Sequence, residues 1–298
     1  MSPEAVSAYR IPASIEATPK QVNDGDRLDG LFPAGTRVYL TDVGTTPVPE
    51  FAAAARRLAL AGYKPVPHLP ARRMAGPADL RDRLNRLTGE AGVDDVLVIA
   101  GSVDRPAGDF ASTMDILRTG MLAEFGIRTI GVAGHPEGSP DIPAGGVAEA
   151  IAQKNAFAAE YGIDMRIVTQ FGFDPQRFVA WAHDLAASGN TLPIHIGVSG
   201  PAKITTLLKY AALCGVGPSL DFLKKRASSV MALASGFSPE GVVAPIEEHV
   251  AGDPGCPIAQ LHVFPFGGLR KTAEWLAERG SWFGDNGSGE TTVIAETN

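Results

Sequence analysis

The chain has 298 residues and a formal net charge of −7, with 45% hydrophobic and 20% charged residues. This composition is typical of a globular protein with a sizeable core. The acidic balance argues against nucleic acid and anionic membranes as partners, because both bind basic surfaces. Two cysteines are too few for a disulfide framework and favour a cytoplasmic location. We see no signal-peptide pattern and no apolar run long enough to span a bilayer.

Eight short apolar runs are predicted to be strands. Several, such as DVLVIAG at 95–101, are continuous runs of Val, Ile and Leu, which is typical of parallel strands buried on both faces. In chain order the predicted strands are 14–18, 37–43, 64–69, 95–101, 129–134, 165–173, 193–200 and 258–266.

Longer segments with helical periodicity separate these runs. Between the seventh and eighth strands the chain has room for two or three helices instead of one. The predicted helices are 49–63, 77–92, 109–126, 146–162, 174–188, 202–216, 219–235 and 238–250.

Eight strands alternating with helices predict a (β/α)8 TIM barrel, a single α/β domain over residues 1–280 with extra helices between strands 7 and 8. An open doubly wound sheet is the alternative, because a strand count from sequence does not separate the two folds. Residues 281–298 are polar and rich in glycine, and they are predicted to form a disordered tail.

In such a barrel the functional residues lie at the C-terminal ends of the strands. Glu16 stands alone in an apolar first strand, where partial desolvation would let it donate a proton near neutral pH; a solvated residue on a frayed strand is the alternative. The loops after strands four and five, at 100–108 and 133–146, are rich in Gly and Pro. They either let the backbone approach a ligand closely or form tight rim turns.

Metal-binding motifs are missing from the predicted strand ends. The sequence has no HExxH, no paired CxxC and no His-x-His on a strand, and its strand histidines lie on different strands. We therefore expect no catalytic metal. A GxGxxG fingerprint is absent too, so a dinucleotide bound in the βαβ manner is not supported.

Six motifs stand at the predicted strand ends in this order: SIEATP, VYLTDVG, PHLPAR, VIAGS, GVAGHPEGSP and TQFGFD. The most specific are TQFxFD and the strand-five loop ending in PExxP. In joint order and spacing the set resembles the methylenetetrahydrofolate reductase family over roughly residues 12–275. The resemblance implies a flavoprotein oxidoreductase with FAD at the barrel mouth. NADH or NADPH would supply hydride to interconvert 5,10-methylenetetrahydrofolate and 5-methyltetrahydrofolate, in one-carbon metabolism and methionine biosynthesis.

The resemblance also implies roles for particular residues. Glu16 would be the general acid toward the folate nitrogen that is released as the five-membered ring opens to an electrophilic iminium. Gln170 would hydrogen-bond the pterin. Phe171 and Phe173 would wall the folate site, with barrel packing as their alternative, and Arg270 would face the folate tail. The cofactor-binding residues would be Thr41, His68, Gly101, Ser102, His135 and Lys154.

Several positions depart from the family pattern. The loop after the predicted fourth strand reads IAGS, so Ala100 and Ser102 replace an arginine and an aspartate, and His135 replaces a tyrosine. Two alternatives therefore stay open. One is a folate-binding barrel without flavin or redox activity, serving as a carrier or regulator. The other is an aldolase or lyase that uses Lys203 as a Schiff base. We also expect a homo-oligomer, although the sequence does not point to its interface.

Overall fold

The computed structural model describes residues 9–24, 28–139, 142, 145–227 and 236–282. All eight predicted strands are present, and they form a closed parallel barrel in which β8 pairs with β1. The (β/α)8 prediction is confirmed and the open sheet is wrong. The strands are β1 (Ala13–Ala17), β2 (Arg37–Leu40), β3 (Lys64–Pro70), β4 (Asp95–Ile99), β5 (Thr129–Gly134), β6 (Asp164–Phe171), β7 (Ile194–Ser199) and β8 (Ile258–Phe264).

Helices cover the outside of the barrel, and three of those described lie between β7 and β8, as predicted. None of the described helices is long and apolar enough to cross a membrane. They are α1 (Pro19–Asp24), α2 (Val48–Leu60), α3 (Pro77–Ala91), α4 (Thr113–Leu117), α5 (Met121–Glu124), α6 (Gly146–Tyr161), α7 (Pro175–Ala187), α8 (Ile204–Leu213), α9 (Gly217–Ala227), α10 (Glu240–Gly252) and α11 (Leu269–Glu278), with a 3-10 turn at Ala71–Arg73.

The observed helices differ from the predicted set in three places. The single helix predicted over 109–126 is the pair α4 and α5, because Gly120 takes a left-handed φ of 71° between them. Helices α1 and α11 are absent from the predicted set. Most of the predicted disordered tail, residues 283–298, lies outside the described residues, as do 228–235 of the predicted helix 219–235.

The interior of the barrel is closed near the N-terminal ends of its strands. Arg166 donates from Nε to the Tyr39 hydroxyl at 2.7 Å and from Nη2 to Asp95 at 2.8 Å, while Arg37 donates to the same carboxylate at 3.2 Å. These buried charges are paired, as burial requires. Above them a small apolar cluster that includes Val66 fills the barrel centre. The C-terminal mouth is therefore the end of the barrel that is left for a ligand.

Candidate functional site

A hydrogen-bonded chain of three side chains links β1 and β8 at the mouth. Glu16 Oε2 lies 3.1 Å from His262 Nε2, and His262 Nδ1 lies 3.2 Å from Ser14 Oγ. The Glu16 side chain is 14% exposed, whereas His262 is buried. The chain thus runs from the barrel wall to a carboxylate that reaches solvent.

Ser14 joins this chain to the backbone of β8. Its hydroxyl oxygen lies 3.1 Å from the Leu261 carbonyl and 3.2 Å from His262 Nδ1, and it accepts from Nδ1 or donates to it according to the tautomer of the ring. In both tautomers the facing atoms, His262 Nε2 and Glu16 Oε2, have one hydrogen between them, because a bare imidazole nitrogen and an ionised carboxylate would repel each other. The Glu16–His262 pair therefore holds one proton that a ligand above Glu16 can take up or return.

His68, on β3, is a buried histidine with an unused nitrogen. Within the described part of the chain its Nε2 has no hydrogen-bond partner. Burial lowers the pKa of His68, and the nearby Glu16 carboxylate only partly opposes this effect. The ring is neutral near pH 7, and leaving its nitrogen unsatisfied costs about 1–3 kcal/mol. A ligand group at this position would remove that cost.

Thr41 follows β2 on the same side of the mouth. Its backbone N–H donates to the Ala17 carbonyl at 2.9 Å, and its hydroxyl points to the same oxygen at 3.4 Å. These contacts hold Thr41 next to the end of β1. Thr41, His68 and Glu16 are thus brought together by three neighbouring strands.

Aromatic rings line the β8 side of the mouth. The His262 ring lies 4.8 Å from Phe264, which stacks on Phe266 at 5.6 Å between ring centroids. Phe266 in turn stacks on Tyr210 of α8 at 4.3 Å. The rings of Phe264, Phe266 and Tyr210 are partly exposed and offer a surface on which a flat ring can stack. The predicted site does not include Tyr210, because nothing in its helix distinguishes it from packing residues.

The predicted folate-binding residues lie on more distant elements than Glu16, His68 and Thr41 do. Gln170 lies on β6 at the same end as Glu16, and its Oε1 accepts the backbone N–H of Phe171 at 3.1 Å. Phe171 and Phe173 are each only 1% exposed and pack against other aromatic rings. They occupy packing positions, so their role as folate walls stays a prediction. Arg270 is exposed in the first turn of α11.

The β4 loop is tied to the end of β3. The Arg72 N–H donates to the Ala100 carbonyl at 2.8 Å, and Arg73 Nε donates to the Gly101 carbonyl at 3.0 Å. Gly101 has a φ of 102°, and a Cβ there would lie 3.0 Å from the Pro70 Cβ. Ser102, at φ 39°, is the one residue other than glycine with positive φ in the described ranges. The loop therefore stores backbone strain beside the mouth.

Gly101→Ala is expected to lower the free energy of unfolding by about 1–3 kcal/mol, because the methyl group meets Pro70 and the backbone angle disfavours alanine. Urea unfolding followed by circular dichroism measures this. Gly92→Ala is the matched control, since Gly92 has φ 62° but a Cβ placed there would have open space within 4 Å. An equal loss in both variants would contradict the close approach to Pro70.

The β5 loop is anchored to α9. The Glu137 carboxylate accepts the Ser219 hydroxyl at 2.6 Å and the Ser219 N–H at 3.1 Å. Beside this loop lies an open cavity of about 820 Å³, lined by His135 and by Trp181 of α7 among others. Glu16 does not line it. His135 and Glu16 therefore face different spaces, one beside the mouth and one within it.

Lys154, on α6, is a buried ammonium group. It is 6% exposed, and among the described residues no hydrogen bond or ion pair reaches its Nζ. Burial lowers the pKa of Lys154 to about 8. Residues Val147 and Ala148, earlier on the same helix, line the cavity beside the β5 loop. An anionic group would supply the partner that this buried charge needs.

No family model matches the chain. A solved protein from Clostridium thermocellum that binds two copies of 5-methyl-5,6,7,8-tetrahydrofolic acid superimposes with a TM-score of 0.58, covering 93% of this chain and 96% of that one. The two proteins share a fold. At 11% identity the likeness shows nothing finer, so the resemblance to the methylenetetrahydrofolate reductase family stays a prediction.

Two further structures are more distant. A proposed copper homeostasis protein, CutC, from Streptococcus agalactiae has a TM-score of 0.39 at 17% identity, covering 70% of this chain and 99% of that one. An intracellular xylanase from Thermoanaerobacterium saccharolyticum has a TM-score of 0.38 at 14% identity, covering 87% and 86%. Neither likeness is close enough to support a functional argument.

Proposed function

We propose that this protein binds a reduced folate at the barrel mouth and uses FAD to interconvert 5,10-methylenetetrahydrofolate and 5-methyltetrahydrofolate, with NADH or NADPH as the source of hydride. The observation that carries the proposal is the Glu16–His262 pair, which holds one proton beside a stacking surface of aromatic rings. The folate-binding protein of the same fold and the six strand-end motifs support it.

Different residues of the mouth bind the folate and transfer its proton. The rings of Phe264, Phe266 and Tyr210 stack on the flat pterin and orient it. Glu16 gives its proton to the nitrogen that is released when the folate ring opens, and His262 resupplies it through Nε2. In the reverse direction the same pair takes the proton back. Ser14 keeps the His262 ring oriented toward Glu16.

Three observations fit a bound flavin. His68 has an unpartnered buried nitrogen, which can donate to or accept from a ring carbonyl or ring nitrogen. The lack of a Cβ at Gly101 lets the β4 loop lie close to Pro70 at the mouth, where the loop backbone can face the flavin. Lys154 offers a desolvated charge for a phosphate. When bound, FAD carries hydride from the nicotinamide to the folate carbon, and the protein positions both partners.

Ligand binding separates this function from its alternative. The full chain is purified, incubated with FAD, passed through gel filtration and titrated with 5-methyltetrahydrofolate. We expect one FAD per chain and a folate that perturbs the flavin absorbance, since both lie at one mouth. A colourless protein that still binds the folate would favour the carrier, which Ala100 and Ser102 of the β4 loop suggest.

His135→Ala is expected to weaken FAD binding about tenfold, the loss of roughly one hydrogen bond or ring contact next to the β5 loop. Flavin fluorescence quenching during titration measures the affinity. His135→Phe is the matched control, because it keeps a flat ring and removes only the hydrogen bond. Full retention of flavin by His135→Ala through gel filtration would remove His135 from the cofactor site.

A further inference from the structure

Four side chains with metal-binding atoms meet at the end of the barrel opposite to Glu16. His183 lies near the end of α7 and His249 near the end of α10, while Asp253 and Cys256 lie in the turn that leads into β8. Together they are called the α7–α10 cluster. It is separate from the strand ends at which the sequence predicts no metal.

The atoms of the cluster point at a common centre. His183 Nε2 lies 2.8 Å from His249 Nε2, and Asp253 Oδ2 lies 3.6 Å from the first and 3.9 Å from the second. The Cys256 sulfur lies within 4.8 Å of both ring nitrogens. The two imidazole planes cross at 83°. Because the two Nε2 atoms are so close, each ring directs this nitrogen toward the same small space.

We propose that the α7–α10 cluster binds one Zn²⁺ ion through His183, His249, Asp253 and Cys256. A tetrahedral Zn²⁺ with Zn–N of about 2.0–2.1 Å and Zn–S of about 2.3 Å holds its ligand atoms roughly 3.3–3.6 Å apart. The observed separations lie on both sides of this range, so shifts of a fraction of an ångström to about one ångström complete the site. All four side chains are half-buried, and an ion can reach them.

The charges and protons of the cluster balance for a divalent ion. The two ring nitrogens share one hydrogen at 2.8 Å; when the metal takes both Nε2 atoms, this hydrogen moves to Nδ1 of its own ring, and the Cys256 thiol releases the one proton that leaves the site. Two neutral imidazoles, one thiolate and one carboxylate then neutralise Zn²⁺. Nitrogen and sulfur ligands favour Zn²⁺ over Mg²⁺ or Ca²⁺, which prefer oxygen.

Backbone hydrogen bonds in the turn before β8 hold Asp253 and Cys256 in place for metal binding. Asp253 Oδ1 accepts the Gly255 N–H at 3.0 Å, which leaves Oδ2 directed at the histidines. The Cys256 N–H donates to the Asp253 carbonyl at 3.0 Å, so the two ligands of this turn are held at a constant spacing. The ion would fasten α7 to α10 and so anchor the helices inserted between β7 and β8.

Cobalt spectroscopy on the reduced, full-length protein tests the proposal. Co²⁺ is added to the chelator-treated chain, and we expect one equivalent to give the visible bands of a tetrahedral site together with a thiolate-to-cobalt charge-transfer band. Zn²⁺ should remove both. Cys256→Ser should abolish the charge-transfer band, and His249→Gln should weaken binding more than tenfold. Cys214→Ser is the matched control and should keep the band.

The wild-type spectrum decides the question even if a variant fails to fold. A wild-type protein with no charge-transfer band, or a band that Cys214→Ser removes and Cys256→Ser leaves, would overturn the site and leave a simple His–His hydrogen bond in its place. Zn²⁺ should also raise the melting temperature of the wild type but not of His249→Gln, because a ligand that binds only the folded state stabilises it. Equal shifts in both would overturn the proposal as well.

Discussion

Glu16→Gln is expected to slow the transfer of hydride to the folate by about 10²–10⁴-fold, the usual contribution of a general acid, while reduction of bound FAD by NADH or NADPH keeps most of its rate. The glutamine keeps the shape of the side chain but cannot deliver the proton that Glu16 shares with His262. Stopped-flow absorbance separates the two half-reactions, because the flavin bleaches in one and recovers its colour in the other.

His262→Asn is the companion variant. It should lower the folate half-reaction less than Glu16→Gln does and change its pH profile, because Glu16 keeps its carboxyl group but loses the partner that resupplies the proton. Equal losses in both half-reactions of Glu16→Gln would assign Glu16 to the structure of the barrel instead of its chemistry.

Lys154→Met is expected to have two opposite effects, a more stable protein and weaker FAD binding. Because burial lowers the pKa of Lys154 from 10.5 to about 8, the folded state holds this proton more weakly than the unfolded state. The charged lysine therefore costs about 3 kcal/mol of stability below pH 8, and the cost disappears as pH rises from 8 to 10.5. Methionine removes the charge and should recover that energy at pH 7.

Urea unfolding of Lys154→Met at pH 7 and pH 10 measures the stability effect, and fluorescence titration measures the loss of FAD affinity. Lys224→Met is the control, since Lys224 is exposed and should change neither property. A Lys154→Met protein that is less stable than the wild type at pH 7, yet binds FAD equally well, would mean that Lys154 has neither the buried charge nor the anionic ligand we assign to it.

The barrel is predictable from the sequence because strands that are buried on both faces consist of continuous runs of apolar residues. All eight runs are strands, with ends shifted by a few residues. The helix predicted over 109–126 is wrong because its apolar spacing continues across Gly120, where the chain turns. Helix α11 is missed because the four residues between it and β8 include a proline and two glycines, which are typical of a loop.

The site is predictable in its strand ends but not in its contacts. Ser14 and Glu16 are two residues apart and so share a face of β1, and the closing of the barrel brings His262 of β8 beside them. The sequence alone does not reveal this chain of side chains, because it depends on the β1–β8 pairing. The places of Phe171 and Phe173 do not follow from strand alternation, because the register of β6 shifts between Val168 and Phe171; Phe171 packs against Phe264 and Phe266 of the mouth, and Phe173 packs against Phe237.

We propose that one barrel mouth passes hydride from a nicotinamide through a flavin to a folate. The most direct measurement is an anaerobic absorbance experiment on the FAD-loaded wild type, with NADH or NADPH added first and 5,10-methylenetetrahydrofolate second. We predict that the flavin bands bleach on the first addition and return on the second, with 5-methyltetrahydrofolate formed in equal amount. Flavin bands that never bleach, or that stay bleached when the folate is added, would contradict the account.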